Sequence, residues 1–208
     1  MDDGPDAQTR AAAEQAGARY IAHDRSLGLN AARNTAIAAT DAEWLFFVDD
    51  DVEVRPGWLE ALLAAARSAG DDVGALAGAI HARIDNPRYR QCGREGAPIT
   101  FLESDLGVGW GANLGVRRSW IERVGPFDAA RELYGDEQEW QDRVRTPGGR
   151  ILWVPGAELD HVRTGTDATV RALARAAYAR GTASRRYDVF KGCAPPSRAR
   201  SSSGAAGP

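Results

Sequence analysis

Several hallmarks of other protein classes are scarce or absent in this sequence of 208 residues. It has two cysteines, Cys92 and Cys193, whose surroundings fit neither a disulfide framework nor a metal site. No apolar run is long enough to cross a bilayer, and the acidic start at residues 1–4 is unlike a signal peptide. Lysine and arginine number 26 against 29 aspartates and glutamates, and this net charge of −3 argues against a dedicated nucleic-acid partner. We therefore expect a cytoplasmic protein, with contact at the inner face of the cell membrane left open.

Helical and extended patterns alternate along the chain. Residues 44–48 are a continuous apolar run, too short for a core helix, which predicts a buried strand. The alternation predicts an α/β domain with a mainly parallel sheet flanked by helices. We expect this domain to cover residues 1–192 and residues 193–208 to form a disordered tail rich in Pro, Ser, Gly and Ala. Helices are predicted at residues 7–17, 29–39, 58–69, 119–124, 137–145 and 170–187, and strands at 18–22, 44–48, 73–82, 99–102, 112–117, 151–155 and 158–162.

Three acidic residues, Asp49, Asp50 and Asp51, directly follow the predicted strand at residues 44–48. Crowded carboxylates repel one another unless a positive charge lies among them. A divalent cation such as Mg²⁺ or Mn²⁺ supplies that charge, and carboxylate oxygens suit it. Ligands of open α/β sheets bind beyond the carboxyl ends of strands, where this run lies. The run by itself fits a metal site or a solvated acidic turn equally well.

Further segments, in a fixed order, surround the acidic run. They are residues 28–34 (Gly-Leu-Asn-Ala-Ala-Arg-Asn), 110–118 (Trp-Gly-Ala-Asn-Leu-Gly-Val-Arg-Arg), 124–128 (Val-Gly-Pro-Phe-Asp), 135–143 (Gly-Asp-Glu-Gln-Glu-Trp-Gln-Asp-Arg), 153–155 (Trp-Val-Pro) and His161. Each segment is a loose motif, but the ordered set is specific. From Asp2 to about Lys191 the chain resembles the family 2 glycosyltransferases of the GT-A fold.

The resemblance implies a donor site at the acidic run. Asp49 and Asp51 match the residues that hold the diphosphate of a nucleotide sugar through Mg²⁺ or Mn²⁺, and Asp50 matches a contact to the ribose or the ion. His161 matches a histidine that completes the metal shell, although a lone histidine of this kind also fits a surface residue. A metal that bridges the phosphates stabilises the charge of the departing nucleoside diphosphate.

The resemblance also implies a catalytic base in an acidic pair. Asp136 and Glu137 match a pair whose second member is usually an aspartate, so Glu137 departs from the pattern by one methylene. Transfer with inversion needs one carboxylate to take the proton of the acceptor hydroxyl. Glu137 is the first candidate, and Asp136 or Glu139 remains an alternative. A solvated acidic first turn of a helix is the competing interpretation.

Other matched positions are implied to line the nucleotide and sugar pockets. Arg33 and Asn34 match the pair that orders the nucleotide side, or else they are a surface arginine and a turn asparagine. A tryptophan offers a flat face to a sugar, and a glycine lets a ligand approach the backbone. The residues matched to the sugar and acceptor pocket are Trp110, Gly111, Ala112, Asn113 and Trp140, of which the two tryptophans also fit core positions.

The beginning of the chain departs from the family. Residues 1–6 resemble the family's second strand, and the first strand and its helix are absent, which predicts an amino-terminally truncated GT-A sheet. Our hypothesis for this departure is that the true gene starts upstream of Met1. By its position, Asp2 or Asp3 is predicted to contact the base or the ribose of the donor.

Five arginines make residues 170–187 locally basic within an acidic chain. This segment fits either a helix lying on an anionic membrane near a lipid-linked acceptor or a domain helix with a solvated face. The resemblance as a whole implies an inverting transfer from a nucleotide-diphosphate sugar to a saccharide or lipid-linked acceptor. A nucleotidyltransferase and a catalytically degenerate GT-A-like module remain the alternatives.

Overall fold

The computed structural model describes residues 1–85, 102–130, 136–164 and 169–193. Of the tail predicted at residues 193–208, all but residue 193 lies outside these ranges, as does most of the strand predicted at 99–102. The described elements are α1 (Ala7–Gln15), α2 (Leu29–Ala38), β1 (Trp44–Val48), β2 (Val52–Val54), α3 (Trp58–Ser68), β3 (Val73–Asp85), β4 (Asn113–Arg117), α4 (Arg118–Val124), α5 (Asp136–Arg145), β5 (Arg150–Thr164) and α6 (Val170–Phe190).

The five strands form one sheet in the order β1-β4-β3-β5-β2. Only β3 and β5 pair in parallel, and the other three pairs are antiparallel. The prediction of a mainly parallel sheet is therefore wrong. β1, β3 and β5 do run in one direction, as the intervening helices imply, but β4 lies between β1 and β3 and runs against both. Alternation along the chain sets strand direction, whereas it does not reveal which strand is inserted between two others.

Two long strands carry the site-bearing end of the sheet. β3 and β5 pair along almost their whole length. The register shifts where Gly78 pairs with Val154 but the next residue, Ala79, pairs with Glu158. The two extended segments predicted at 151–155 and 158–162 are thus one strand. The short β2 was not predicted, and it pairs with the outer half of β5, placing Val52 opposite His161.

Both faces of the sheet are covered by apolar side chains. On one face, α3 contributes Leu62 to a cluster with Leu76 of β3. On the other face, Val116 of β4 packs in a cluster that includes Trp120 and Trp140. Successive residues of a strand point to opposite faces, so Ala75 and Leu76 belong to different clusters. The α/β layering predicted from the sequence is confirmed.

The amino-terminal segment contributes little regular structure. The strand predicted at residues 18–22 is reduced to one parallel bridge between Asp2 and Ala22, with Asp2 N donating to Ile21 O at 2.8 Å. Within the described residues β1 forms one edge of the sheet. An amino-terminal truncation stays a prediction.

The last helix, α6, docks on α5 through a few contacts. Leu173 and Tyr187 are buried, and the Tyr187 hydroxyl donates to Asp142 Oδ2 at 2.6 Å. Val170 and Tyr178 are 73% and 79% exposed, so the apolar residues of α6 do not form one buried face. Among the described helices, none combines the length and apolarity needed to span a bilayer.

Candidate active site

The acidic run links two strands that lie far apart in the sheet order. β1 ends with Val48 opposite Asn113 of β4, and β2 begins with Val52 opposite His161 of β5. Only Asp49, Asp50 and Asp51 connect them. Val162 N donates to the carbonyl oxygen of Asp51 at 2.8 Å, which fixes the end of this connection against β5. The fold therefore brings His161 to the acidic run across 110 residues of sequence.

Asp49, Asp51 and His161 form a compact group of potential metal ligands. Each residue offers one ligand atom, and these atoms all lie within 4.8 Å of one another. Ligands around Mg²⁺ at about 2.0–2.1 Å are separated by roughly 3–4 Å, so this spacing suits one divalent cation. His161 Nε2 lies 3.0 Å from Asp51 Oδ1. Two carboxylates and a buried imidazole are a suitable donor set, and we call these three residues the metal cluster.

The electrostatics of the metal cluster also favour a cation. Burial raises the pKa of Asp49, and the charge of Asp51 adds to the rise, although the positive charge of Arg33 opposes it. Burial acts in the same direction on Asp51, but the hydrogen bond from His161 and the charge of Arg163 outweigh it and hold the pKa of Asp51 below its usual value. The two carboxylates differ because His161 bonds to Asp51. A bound cation would favour the ionised form of both.

Arg33 is buried beside the metal cluster. Its side chain is 4% exposed, and Nη1 donates to Asn30 Oδ1 at 3.2 Å. The guanidinium carbon lies 5.5 Å from the centre of the Phe127 ring. A Cβ atom on Gly111 would lie 1.8 Å from Arg33 Nη2, so the glycine makes room for the guanidinium. Arg33 thus connects Asp49, whose pKa it lowers, to the backbone at Gly111.

Glu137 meets the same backbone position from the other side. It lies in the first turn of α5, and its Oε1 accepts a hydrogen bond from Gly111 N at 3.2 Å. The side chain is partly buried. Glu137 and the guanidinium of Arg33 therefore both lie at Gly111, and Arg33 acts on Asp49 of the metal cluster through its charge. The backbone of Asp136 begins α5, and its side chain is not among those described.

The family model for glycosyl transferase family 2 matches residues 1–125, more than half of the chain. The chain belongs to glycosyl transferase family 2. This match covers the predicted metal ligands Asp49 and Asp51 but ends before Glu137 and His161. The structure adds His161 to the metal cluster and bonds Glu137 to Gly111.

Two curated relatives of this family 2 chain come from Mycobacterium tuberculosis. The first, a pre-mycofactocin glycosyltransferase, is 29% identical over an alignment of 153 residues that covers 67% of this chain and 31% of the relative. The second is an N-acetylglucosaminyl-diphospho-decaprenol L-rhamnosyltransferase, 29% identical over 185 residues, covering 69% of this chain and 58% of the relative. The chain thus spans less than a third of the first relative's length and less than three fifths of the second's.

Solved structures of glycosyltransferases share the fold. The mannosyltransferase PcManGT from Pyrobaculum calidifontis, in complex with GDP-Man and Mn²⁺, superposes with a TM-score of 0.63 at 18% identity, covering 94% of this chain and 55% of that one. GalNAc-T7 with UDP, GalNAc and Mn²⁺ gives a TM-score of 0.56 at 15% identity, covering 85% of this chain and 40% of that one. The family 2 chain therefore has the GT-A fold, as predicted.

Trp140 does not line a pocket in this family 2 domain. Its side chain is completely buried, Nε1 donates to Gly125 O at 3.0 Å, and its ring centre lies 5.3 Å from that of Phe127. Trp140 thus occupies a core position, which was the alternative interpretation of this residue. α5 turns Trp140 into the core, whereas the first turn of the same helix presents Glu137 to Gly111.

Asn113 is also an internal residue. It is 1% exposed, and its Nδ2 donates to Ala79 O at 2.9 Å and to Ala157 O at 2.8 Å. Its Oδ1 accepts from Trp58 Nε1 at 2.9 Å. These bonds join β4 to β3, β5 and α3, so Asn113 braces the sheet, and its predicted sugar contact stays a prediction. The preceding Ala112, which carried the same prediction, is 3% exposed.

Asn34 uses its whole amide to bind the backbone of one residue. Nδ2 donates to Phe127 O at 2.8 Å, and Oδ1 accepts from Phe127 N at 3.0 Å. This bracket attaches α2 to the segment that follows α4. The side chain predicted to order the nucleotide therefore orders Phe127, the ring that packs against Arg33.

The contacts predicted for Asp50 and Trp110 stay predictions, whereas Glu139, the alternative base, is bonded to another residue. Asp50 is exposed beside the metal cluster. Trp110 packs against the cluster of Ile80 and Leu102, and its buried Nε1 has no hydrogen-bond partner among the residues that the structure describes. Glu139, the alternative base, accepts from Arg143 Nε at 2.8 Å and from Arg143 Nη2 at 3.0 Å. This bidentate ion pair gives Glu139 a structural role.

The structure adds one charged residue that was not predicted. Arg163 Nη1 lies 3.4 Å from Asp51 Oδ2. Because side chains two apart on a strand point to the same face, the position two residues after His161 on β5 was the signal for it. Arg163 places a positive charge at the edge of the metal cluster.

Asp3 accepts four hydrogen bonds from the loop before α2. Its Oδ1 accepts from Leu27 N at 2.9 Å and pairs with His23 Nδ1 at 2.7 Å. Its Oδ2 accepts from Ser26 Oγ at 2.7 Å and from Gly28 N at 2.8 Å. Burial acts to raise the pKa of Asp3, but these bonds outweigh it and hold the pKa well below its usual value. Asp3 therefore positions the loop, and contact with a nucleotide stays a prediction.

Replacing Asp3 with asparagine is expected to lower the free energy of unfolding at pH 7 by roughly 2–4 kcal/mol, because hydrogen bonds to a charged group are lost. The folded-state pKa of Asp3 lies below the unfolded value of about 4. The stabilisation is therefore complete above that value and is lost as the pH falls through it towards the folded pKa. Urea unfolding at several pH values should show the gap between wild type and Asp3→Asn closing below pH about 4. Asp24→Asn, at an exposed position, is the matched control, and an equal gap at pH 3 and 7 for Asp3→Asn would contradict the expectation.

Gly111→Ala is expected to disrupt the site more than its size suggests. The added methyl group would lie 1.8 Å from Arg33 Nη2, so the buried guanidinium has to move, at a cost of about 1–3 kcal/mol in the free energy of unfolding. Thermal unfolding and calorimetric Mn²⁺ binding test this, and both should weaken. Gly181→Ala in α6 meets no atom within 4 Å and should stabilise by up to about 1 kcal/mol. Unchanged stability in Gly111→Ala would show that Arg33 moves away without cost.

Proposed function

We propose that this family 2 domain transfers a sugar from a nucleotide-diphosphate sugar to an acceptor hydroxyl, with inversion and with Mg²⁺ or Mn²⁺ at the metal cluster. The observation that carries the proposal is the grouping of Asp49, Asp51 and His161, with Glu137 bonded to Gly111 beside the buried Arg33. A cation site and a carboxylate base are the two groups that such a transfer needs. The family membership and the metal ions in both structural relatives support it.

The metal cluster would bind the donor's diphosphate end. When bound there, a divalent cation stabilises the negative charge that develops on the leaving phosphate. Asp49 and Asp51 would hold the cation. His161, which is buried in β5, would supply a nitrogen ligand. Arg163 adds positive charge close to Asp51. These residues orient the donor and neutralise its phosphates.

Glu137 would act on the acceptor. Its carboxylate takes the proton from the acceptor hydroxyl while the hydroxyl oxygen forms a bond to the anomeric carbon, and the bond from that carbon to the phosphate oxygen breaks. A single displacement from the opposite face inverts the anomeric configuration. Gly111 N, which donates to Glu137 Oε1, favours the ionised carboxylate that is ready to accept a proton.

A saccharide or a lipid-linked compound is the proposed acceptor. One curated relative is named for a diphospho-decaprenol substrate, and on this basis we place the reaction among those that build cell-envelope polysaccharides. The chain covers 58% of that relative's length. Any activity that needs the whole length of the relative is therefore a proposal for this chain.

The outer face of α6 suits an anionic membrane surface. Arg171, Arg175 and Arg186 are exposed, and the structure records no ion pair between them and any described residue. Tyr178 and Phe190 are 79% and 65% exposed beside them. Arginines attract anionic headgroups, and aromatic rings lie at the headgroup level. We propose peripheral contact of α6 with such a membrane, in the cytoplasm, near a lipid-linked acceptor. Flotation with vesicles containing anionic lipid tests it, and equal flotation without anionic lipid would contradict it.

A panel of nucleotide sugars tests the function. The chain, and a version extended upstream, should hydrolyse or transfer from at least one of them when Mg²⁺ or Mn²⁺ is present and lose this activity with a chelator. A nucleotidyltransferase would instead release pyrophosphate from a nucleoside triphosphate. Nucleotide binding without turnover on any substrate would favour a degenerate module, and neither binding nor turnover by either version would defeat the proposal.

A further inference from the structure

Helix α5 and the glycine-containing segment before β4 run side by side in opposite directions. Gln141 Oε1 accepts from Gly109 N at 2.8 Å, and Gln141 Nε2 donates to Gly109 O at 2.8 Å. One turn earlier in α5, Glu137 accepts from Gly111 N at 3.2 Å. One turn later, Arg145 donates to Gly107 O. Three successive turns of the helix therefore hold three alternate residues of the segment, an arrangement that we call the glycine ladder.

The dimensions of the two elements explain the match. Glu137, Gln141 and Arg145 are four residues apart, so they share one face of α5 and advance by about 6 Å each. Two residues of non-helical chain can advance by a similar distance, up to about 6.6 Å when fully extended. The rungs of the ladder therefore stay in register over its length, and moving one rung moves the next.

A side chain would be strained or would clash at each glycine of the ladder, for a different reason at each position. Gly107 has φ of +67°, in the left-handed region. A Cβ atom on Gly109 would lie 2.7 Å from Leu114 Cδ1, and one on Gly111 would lie 1.8 Å from Arg33 Nη2. The segment is therefore pressed between α5 and the residues on its other side, and the side chains of α5 control its position along the helix.

Gln141 forms the central rung and is fully buried. An apolar side chain would satisfy the packing at this position. Gln141 instead uses both ends of its amide on the backbone of a single residue, Gly109. These two hydrogen bonds fix the position of Gly109 along α5 and the rotation of its peptide groups. Gly111 N lies two residues further along the segment.

We propose that Gln141 is a positioning residue for Glu137. By holding Gly109, it places Gly111 N so that this amide orients the carboxylate of Glu137 towards the acceptor and favours its ionised form. The inference rests on the proposed role of Glu137 as the base. Gln141 touches no substrate in this scheme, and its effect reaches the reaction through two backbone residues.

Gln141→Leu tests the proposal, because leucine fills a similar volume without bonding to Gly109. With the donor that the panel identifies, kcat should fall by tenfold or more, while the KM of the donor and the calorimetric Kd of Mn²⁺ stay within about twofold. The acidic limb of the kcat against pH profile should move to higher pH, because Glu137 loses an oriented amide that favours its charged form. Hydrogen exchange at the Gly111 amide should accelerate by tenfold or more.

Val144→Ala is the matched control. Val144 lies in the same helix and is fully buried in the cluster that includes Trp120, outside the ladder. It should lower the melting temperature at least as much as Gln141→Leu but leave kcat, the acidic limb and Gly111 exchange near wild type. The proposal is overturned if Gln141→Leu leaves these three unchanged or if Val144→Ala changes them equally. The exchange of Gly111 needs no turnover, so it decides the positioning role even if the wild type transfers no sugar and the proposed function fails.

Discussion

Replacing Asp51 with alanine is expected to remove metal-dependent transfer almost completely. Asp51 belongs to the metal cluster, is bonded to His161 and lies beside Arg163, so its loss takes away a ligand and the partner that orients another. A metal that acts as a Lewis acid contributes several kcal/mol to the transition state. At about 1.4 kcal/mol per tenfold, kcat/KM should fall by roughly 10²- to 10³-fold or more.

Metal binding measured without donor provides the second readout. Titration calorimetry with Mn²⁺ should show a weakening of at least tenfold in Asp51→Ala. Glu53→Ala is the control of equal charge change two residues along the chain. Its side chain is 62% exposed and pairs with Arg83 outside the metal cluster, so binding and activity should stay near wild type. Wild-type Mn²⁺ affinity in Asp51→Ala would exclude this residue as a ligand.

Replacing Glu137 with glutamine is expected to lower kcat by about 10²- to 10⁴-fold, the usual contribution of a general base. The amide keeps the size of the side chain and an oxygen that can accept from Gly111 N, so the fold should be retained. Glutamine cannot take a proton from the acceptor hydroxyl. Binding of the donor and of Mn²⁺ should be nearly unchanged, since these depend on the metal cluster, and steady-state kinetics with calorimetry separate the two effects.

Glu139→Gln is the matched control on the same helix. Glu139 is held by Arg143, so its replacement should change stability more than the chemical step. Full activity in Glu137→Gln would move the base to another residue. A large loss in Glu139→Gln with an unchanged melting temperature would identify that residue as Glu139, and the same test on Asp136→Asn would identify Asp136.

The structure brings the predicted metal ligands together, as expected. The reason is visible in the order of residues along the chain. The acids come directly after an apolar strand, Trp44–Val48, and the strand boundary was predicted without error. The carboxyl end of a strand is where such a fold places its ligands. His161 lies on a second strand of the same direction as β1, so both strand ends meet at one edge.

The residues predicted to line the pocket were less well predicted. Asn113, Asn34 and Trp140 occur in the expected motifs, but each uses its polar atoms on the protein's own backbone or side chains. A motif records which residue type a position needs, and both ligand binding and internal bracing need amides and indoles. The direction of the side chain decides between them, and that depends on neighbours distant in sequence.

The sequence by itself determined the family, the α/β layering and the members of the candidate metal cluster, because these follow from local signals: apolar runs, strand ends and the order of short motifs. Only the tertiary structure decided that β4 runs between β1 and β3, that Arg33 and Glu137 both lie at Gly111, and that Gln141 braces the same segment. These facts depend on which elements lie side by side. Packing brings together residues far apart along the chain, whereas a sequence pattern reports only on its own neighbourhood.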